Sequence, residues 1–133
     1  MRILNKKPPV LSKATWLAEG VELLNLANQT SNVTWTDIDC TAATSAAAKF
    51  VLMKVQIHTD SYTSGRFLIN FRRNGETPSI TQGIEHPNVA STVEYIMFQV
   101  IMGLDAGNIF EYSTIFTGTC QIDVSLYALA YIE

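Results

Sequence analysis

The sequence predicts an all-β protein: a jelly-roll-like antiparallel β-sandwich led by an extended N-terminal arm. Segments such as KFVLMKVQIHT alternate apolar and polar residues with the period of two that marks a half-buried strand. Turn-forming runs, DSYTSG and Asn74-Gly75 among them, separate such segments at short intervals, as they do in sandwiches and barrels. No long stretch carries the 3.6-residue periodicity of an amphipathic helix. At 133 residues the chain has the length of one domain, enough to bury a core without disulfides or a metal.

Residues 1–20 are expected to form the arm and residues 21–133 the sandwich. Pro8-Pro9 favours an extended path, and SKATWLAEG has room for at most a short helical turn before Gly20. GVELLNLA reads as a strand or a turn of helix, being too short for periodicity to decide. VTWTDID alternates and is rich in β-branched and aromatic residues, so it is a strand. TAATSAAA, at 41–48, is a small-residue connection whose alanines would support one helical turn, interrupted by Thr and Ser. In the next strand Val51, Met53, Val55 and Ile57 share one face, and Lys54, Gln56 and His58 the other. After the DSYTSG turn, RFLINFRR points Phe67, Ile69 and Phe71 inward and Arg66, Asn70 and Arg72 outward. Residues 74 to about 92 form a long polar loop, of a length that in compact domains usually serves function or touches a neighbour. Three strands close the chain: VEYIMFQVIM, NIFEYSTIF and TCQIDVSLYALAYI. Gly103 and Gly107 suit a tight hairpin between the first two, with Asp105 at its tip.

Charged residues make up 16% of the chain, against about a quarter in ordinary soluble domains. Part of this thinly charged surface is therefore expected to be buried in an assembly. The net charge of −3 is uneven: Arg2, Lys6, Lys7 and Lys13 give the first 13 residues +4. The other five basic residues stand against twelve acidic ones, leaving the body at −7. A basic arm on an acidic body fits docking of the arm on an acidic protein surface, or a solvated terminus. Nucleic acid is not an expected partner, because the body repels phosphate and four charges make a weak footprint. Nor is a membrane, since the longest apolar run, YIMFQVIMGL, is too short to span one. The basic start lacks the apolar stretch of a signal peptide, so synthesis in a cytoplasm without export through a recognisable signal is expected.

Two strands are apolar on both faces. Ile96, Phe98, Val100 and Met102 line one side of 93–102, and Tyr95, Met97 and Ile101 the other. In the last strand Ile122, Val124, Leu126 and Ala128 oppose Tyr127, Leu129 and Tyr131. One face fills the core; the second must also be covered, because a contiguous exposed apolar patch is a liability for a soluble monomer. Tyr95, Met97, Ile101, Tyr127, Leu129 and Tyr131 are the candidate subunit interface, with cover by the chain's own N-terminal segment as the competing arrangement.

Recognisable reaction chemistry is missing. No GxSxG, Walker A, GxGxxG or HExxH sequence occurs. Asp105 and Glu111 are the one carboxylate pair worth testing as general acid and base. His58 reads as a surface residue of a strand, and Glu85 with His86 does not by itself make a metal site. No cofactor and no metal are expected. Cys40 and Cys120 lack metal-ligand spacing, leaving two buried free thiols or a single bridge. Trp35 is expected against the core and Trp16 as an anchor into a partner.

From Trp35 onward the chain resembles a family of phage-type jelly-roll domains found at tail-fibre tips and as small virion-associated proteins. The likeness rests on the ordered segments WTDIDCTA, AAAKFVLMKVQI, INFRRNG, GLDAGNIFEYS and IDVSLYALAYIE. Ala130 stands where the family usually has Gly before the final Tyr. The resemblance implies a trimeric virion component without enzymatic activity. The short chain and basic arm turn that expectation toward a capsid decoration (cement) protein on the capsid surface of the virion. Lys6, Lys7, Pro8, Pro9 and Trp16 would dock it on the major capsid protein. The alternative is a tail-fibre tip that holds a host surface receptor, glycan or protein, through Glu85, His86 and Asn88.

Overall fold

A computed structural model describes residues 13–77, 80–85 and 95–133. The described residues form strands β1 (Ala14–Gln29), β2 (Val33–Asp39), β3 (Phe50–Arg73), β4 (Ile80–Glu85), β5 (Tyr95–Gly103) and β6 (Ile109–Ile132), and no helix. All pairings are antiparallel.

β3 and β6 pair along their whole length, from Phe50↔Ile132 to Arg73↔Phe110. The other strands flank this ribbon in two groups. Beside its first half, β5 adds to β3 at 50–58 and β1 adds to β6 at 122–132. Beside its second half, β4 adds to β3 at 66–71 and β2 adds to β6 at 109–114. Counting the halves of β3 and β6 separately gives two four-stranded sheets, β1-β6-β3-β5 and β2-β6-β3-β4. This is the eight-strand, two-sheet pattern of a jelly roll, and the chain is the all-β antiparallel sandwich its sequence predicts.

The ribbon keeps one face inward throughout. Odd residues of β3 (Val51, Met53, Val55, Ile57, then Phe67, Ile69, Phe71) and even residues of β6 (Phe110, then Ile122, Val124, Leu126, Ala128) are fully buried in a single core. Each such large side chain contributes about 1.5–3 kcal/mol by leaving water. The Phe67 ring packs at a tilt against that of its cross-strand partner Phe116, centroids 4.8 Å apart. For one ribbon to supply both walls of one core it must fold over, and the residues at the fold are specialised. Asp60 and Thr63 have no opposite residue in β6, so β3 carries two bulges there, and bulges bend and twist a strand. Next to them Gly65 pairs with Gly118, at φ +101° and +80°. A Cβ on Gly65 would lie 1.6 Å from the Thr117 carbonyl oxygen, and one on Gly118 2.5 Å from that of Ser64.

Several expectations change here. DSYTSG is not a turn between two strands but the bent middle of one, and NIFEYSTIF runs on into the last strand in the same way. The polar stretch after Asn74-Gly75 contains β4, paired from Phe71↔Ile80 to Arg66↔Glu85. SKATWLAEG is strand rather than helical turn: residues 14–20 open β1, which also settles GVELLNLA as strand. GLDAGN does not close a hairpin, because β5 pairs with β3 while β6 begins between β2 and β3; the loop crosses from one sheet to the other.

The glycine pair gives a direct test by urea denaturation. Gly75 also has a positive φ, +74°, but open space around it, so Gly75→Ala should lose only about 1 kcal/mol. Gly118→Ala meets backbone as well and should lose at least about 2 kcal/mol more. Equal losses would show that close backbone approach is not what the fold requires.

Candidate assembly surface

Asp105 and Glu111 are brought to one end of the sandwich, where both are used to hold the turn after β3. Asp105 Oδ1 accepts the Gly107 and Ile109 N–H groups at 2.9 Å each, and Oδ2 accepts the Asn74 side-chain amide at 2.8 Å. Glu111 is buried; it accepts Arg72 at 2.7 and 3.3 Å and the Gly75 N–H at 3.0 Å. The Arg72 guanidinium also lies over the Trp35 ring, 4.1 Å from its centroid, so Trp35 supports this ion pair on the sheet's outer side. Both carboxyls sit below the usual range: Asp105 through the Ile109 N–H and then Asn74, Glu111 through Arg72 and then the Gly75 N–H. A general acid needs the opposite shift, and the contacts these two carboxyls make are ones that hold loops.

Neighbouring loops are tied into the same end. Asn108, at φ 60°, donates its side-chain amide to Thr44 Oγ1 and the Ser45 carbonyl. Arg73 donates to the Leu104 carbonyl, and Lys49 N–H to that of Ile132. The connection at 41–48 is therefore a set of turns, with Ala43 and Ala48 buried. Cys40 and Cys120 are buried free thiols; burial, then the Asp39 charge, pushes Cys40 up to about 12, and burial raises Cys120. Neither is a reactive thiolate.

Apart from Ile115 on the second sheet, the exposed large apolar side chains among the described residues lie on the outer face of the first sheet. Residues opposite one another in register share a face, which defines rows across it. One row runs Trp16, Ala130, Leu52, Ile101, apolar from edge to edge; the next runs Ala14, Ile132, Phe50, Gly103. Trp16 is 70% and Ile101 56% exposed, and Phe50 is exposed as well. Further along β5, Tyr95 and Met97 are 57 and 58% exposed, but their rows turn polar at His58 and Asp123 and at Gln56 and Ser125. β5 is the edge of this sheet, pairing among the described residues with β3 alone.

The six expected interface residues thus do not form one patch. Tyr95, Met97 and Ile101 line the β5 edge, while Tyr127 is half-buried two strands away with the Lys54 ammonium 4.9 Å from its ring centroid. Leu129 is a bulge residue, skipped where Leu52↔Ala130 gives way to Met53↔Ala128. That bulge reverses the alternation, so Tyr131 stands opposite buried Val51 and packs against the core. Phe50, Leu52 and Ile132 join the surface instead; their apolar type alone did not separate them from core residues. Trp16 occupies the opposite edge of the sheet, on β1. Lys6, Lys7, Pro8, Pro9, His86, Asn88 and the Glu85 side chain lie outside the described residues. Sequence spacing also missed a cluster on the same face: His58, Asp60 and Asp123 converge beside Tyr95.

No family model matches the chain, and no curated protein sequence does. Among solved structures it is similar to the PRD1 vertex protein P5, at 11% identity and a TM-score of 0.46 over 84% of this chain and 99% of that one. It is also similar to the structure of infectious bursal disease virus Gx strain, at 9% identity and a TM-score of 0.37 over 99% of this chain and 36% of that one. At these values neither likeness carries a functional argument.

Asp105 and Glu111 shape the acid response together with Asp39, whose pKa the Thr41 N–H lowers. A carboxylate depressed in the folded state adds stability above its unfolded pKa of about 4 and loses that contribution as pH falls toward the folded value. Chemical denaturation should therefore show stability falling from about pH 5 to about pH 3. Asp105→Asn and Glu111→Gln should be less stable at pH 7 and fall less steeply; an unchanged slope in both would show that other groups set it.

Proposed function

We propose that the chain is a non-enzymatic virion structural protein, a homotrimeric phage capsid decoration protein that docks on the major capsid protein and stabilises the shell. The observation that carries the reading is the apolar outer surface ending in the exposed β5 edge, Tyr95, Met97 and Ile101. An edge strand offers unpaired backbone groups, and natural proteins protect such edges with charge or cover. Here three of the four exposed outward side chains of the edge are apolar, Gln99 being the polar one, and the chain is poor in charge. Cover by another copy satisfies both the side chains and the edge, and aromatic and Met residues are enriched in such contacts. The resemblance to phage-type jelly-roll domains supports a virion setting and three-fold packing.

The two edges of the first sheet would divide the work. β5 joins the subunits. The β1 edge, with Trp16, acts with Lys6, Lys7, Pro8 and Pro9 to hold the shell. Binding that favours the assembled shell adds to its stability by mass action, ~2.7 kcal/mol per site at a hundredfold excess over Kd.

Light scattering of the purified protein should give three times the mass of one chain, and Ile101→Glu should reduce it to one while leaving the circular dichroism unchanged. Removing residues 1–12 together with Trp16→Ala should keep the trimer mass and abolish pelleting with capsids of the virus that encodes the chain. The truncation stops at residue 12 because the Lys13 carbonyl accepts the Glu133 N–H and β1 follows at once. Single-chain mass for the unaltered protein would overturn the assembly, and full capsid attachment by the truncated protein would overturn the docking role.

A further inference from the structure

We infer that His58, Asp60 and Asp123 form a binding site for a divalent cation of the zinc type. The three residues reach one point by different routes. His58 and Asp123 are direct cross-strand partners of β3 and β6 on the sheet's outer face. Asp60 is the first bulge residue at the ribbon's fold, so its backbone is drawn out of register beside His58. The Asn28 N–H donates to Asp123 Oδ1 at 2.7 Å, leaving Oδ2 turned toward the imidazole.

The distances suit a shared cation. His58 Nδ1 lies 3.0 Å from Asp60 Oδ1 and 3.6 Å from Asp123 Oδ2, and one donor atom from each residue falls within 4.8 Å of the others. Ligands around a tetrahedral zinc at about 2.0–2.1 Å stand roughly 3.3 Å apart. Two carboxylates aimed at one imidazole nitrogen also exceed what its single proton can satisfy. Among the described residues no Lys or Arg pairs with either carboxylate, so their charge is open to a metal ion. The side chains are 35, 28 and 35% exposed, which leaves an approach from solvent and a position for water. One imidazole nitrogen with two carboxylate oxygens favours zinc over calcium, which takes six to eight oxygens, and over magnesium, which keeps most of its water. A bound cation would fasten β3 to β6 where the ribbon folds.

The test is calorimetric titration of zinc chloride into chelator-treated full-length protein at pH 7, with melting followed in parallel. The expected result is one zinc per chain, a rise in melting temperature, and no comparable binding of calcium. His58→Ala and Asp123→Asn should each weaken zinc binding at least tenfold and remove the rise, while keeping the metal-free melting temperature within a few degrees. Absence of zinc uptake, uptake by His58→Ala equal to the unaltered chain, or loss in His86→Ala but not in His58→Ala would overturn the assignment. Both cysteines remain in every variant, so zinc held by thiols would show as binding insensitive to His58 and count against it.

Discussion

The β3–β6 ribbon governs the structure. Every other strand finds its backbone partner on one of these two, and their inward side chains run through both walls of the core. A flat ribbon of this length would leave one apolar face in water along its whole extent. Folding it over closes that face on itself, and the fold costs two bulges and a contact so close that only glycine fits on either strand. Hydrophobic burial supplies the gain, while the absence of Cβ atoms at Gly65 and Gly118 makes the geometry accessible.

Polar groups then secure the end remote from the fold. Asp105, Glu111 and Asn108 accept or donate the hydrogen bonds that three adjoining loops would otherwise leave unmade. Hydrogen bonds involving ionised groups are stronger than neutral ones, which explains why carboxylates occupy these positions and why their protons are held off. The sandwich is thus closed at one end by backbone geometry and at the other by charge-assisted hydrogen bonding.

This division leaves the outer face of the first sheet with little structural duty. Its composition is mixed: an apolar band from Trp16 to Ile101, a polar centre on β3, and a His–Asp–Asp group beside the fold. The apolar band and the bare β5 edge are the features that an isolated copy would find hardest to keep in water. The proposed assembly would cover both.

Much of this was legible in the residues themselves. Alternation identified VTWTDID and the inward faces of β3 and of the second half of β6, because period-two patterning records which side of a strand is buried; an apolar run at 93–102 marked the strand found at 95–103. Gly and Asn at 74–75 marked a turn for the same local reason. What alternation cannot record is whether two strands are one. DSYTSG has turn composition, yet pairing with β6 carries the backbone straight through it, and only the partner strand decides that. GLDAGN likewise has the composition of a hairpin, but the sheets on either side decide that it crosses between them. A single skipped residue, Leu129, turned Tyr131 inward, and another, Asp60, brought a carboxylate to His58 from a strand position that spacing treats as ordinary. Residue patterning alone established that the chain is all-β and which face of most strands turns inward. Register, and with it every cross-strand neighbour, was decided by the tertiary structure, because hydrogen bonding between strands depends on residues tens of positions apart.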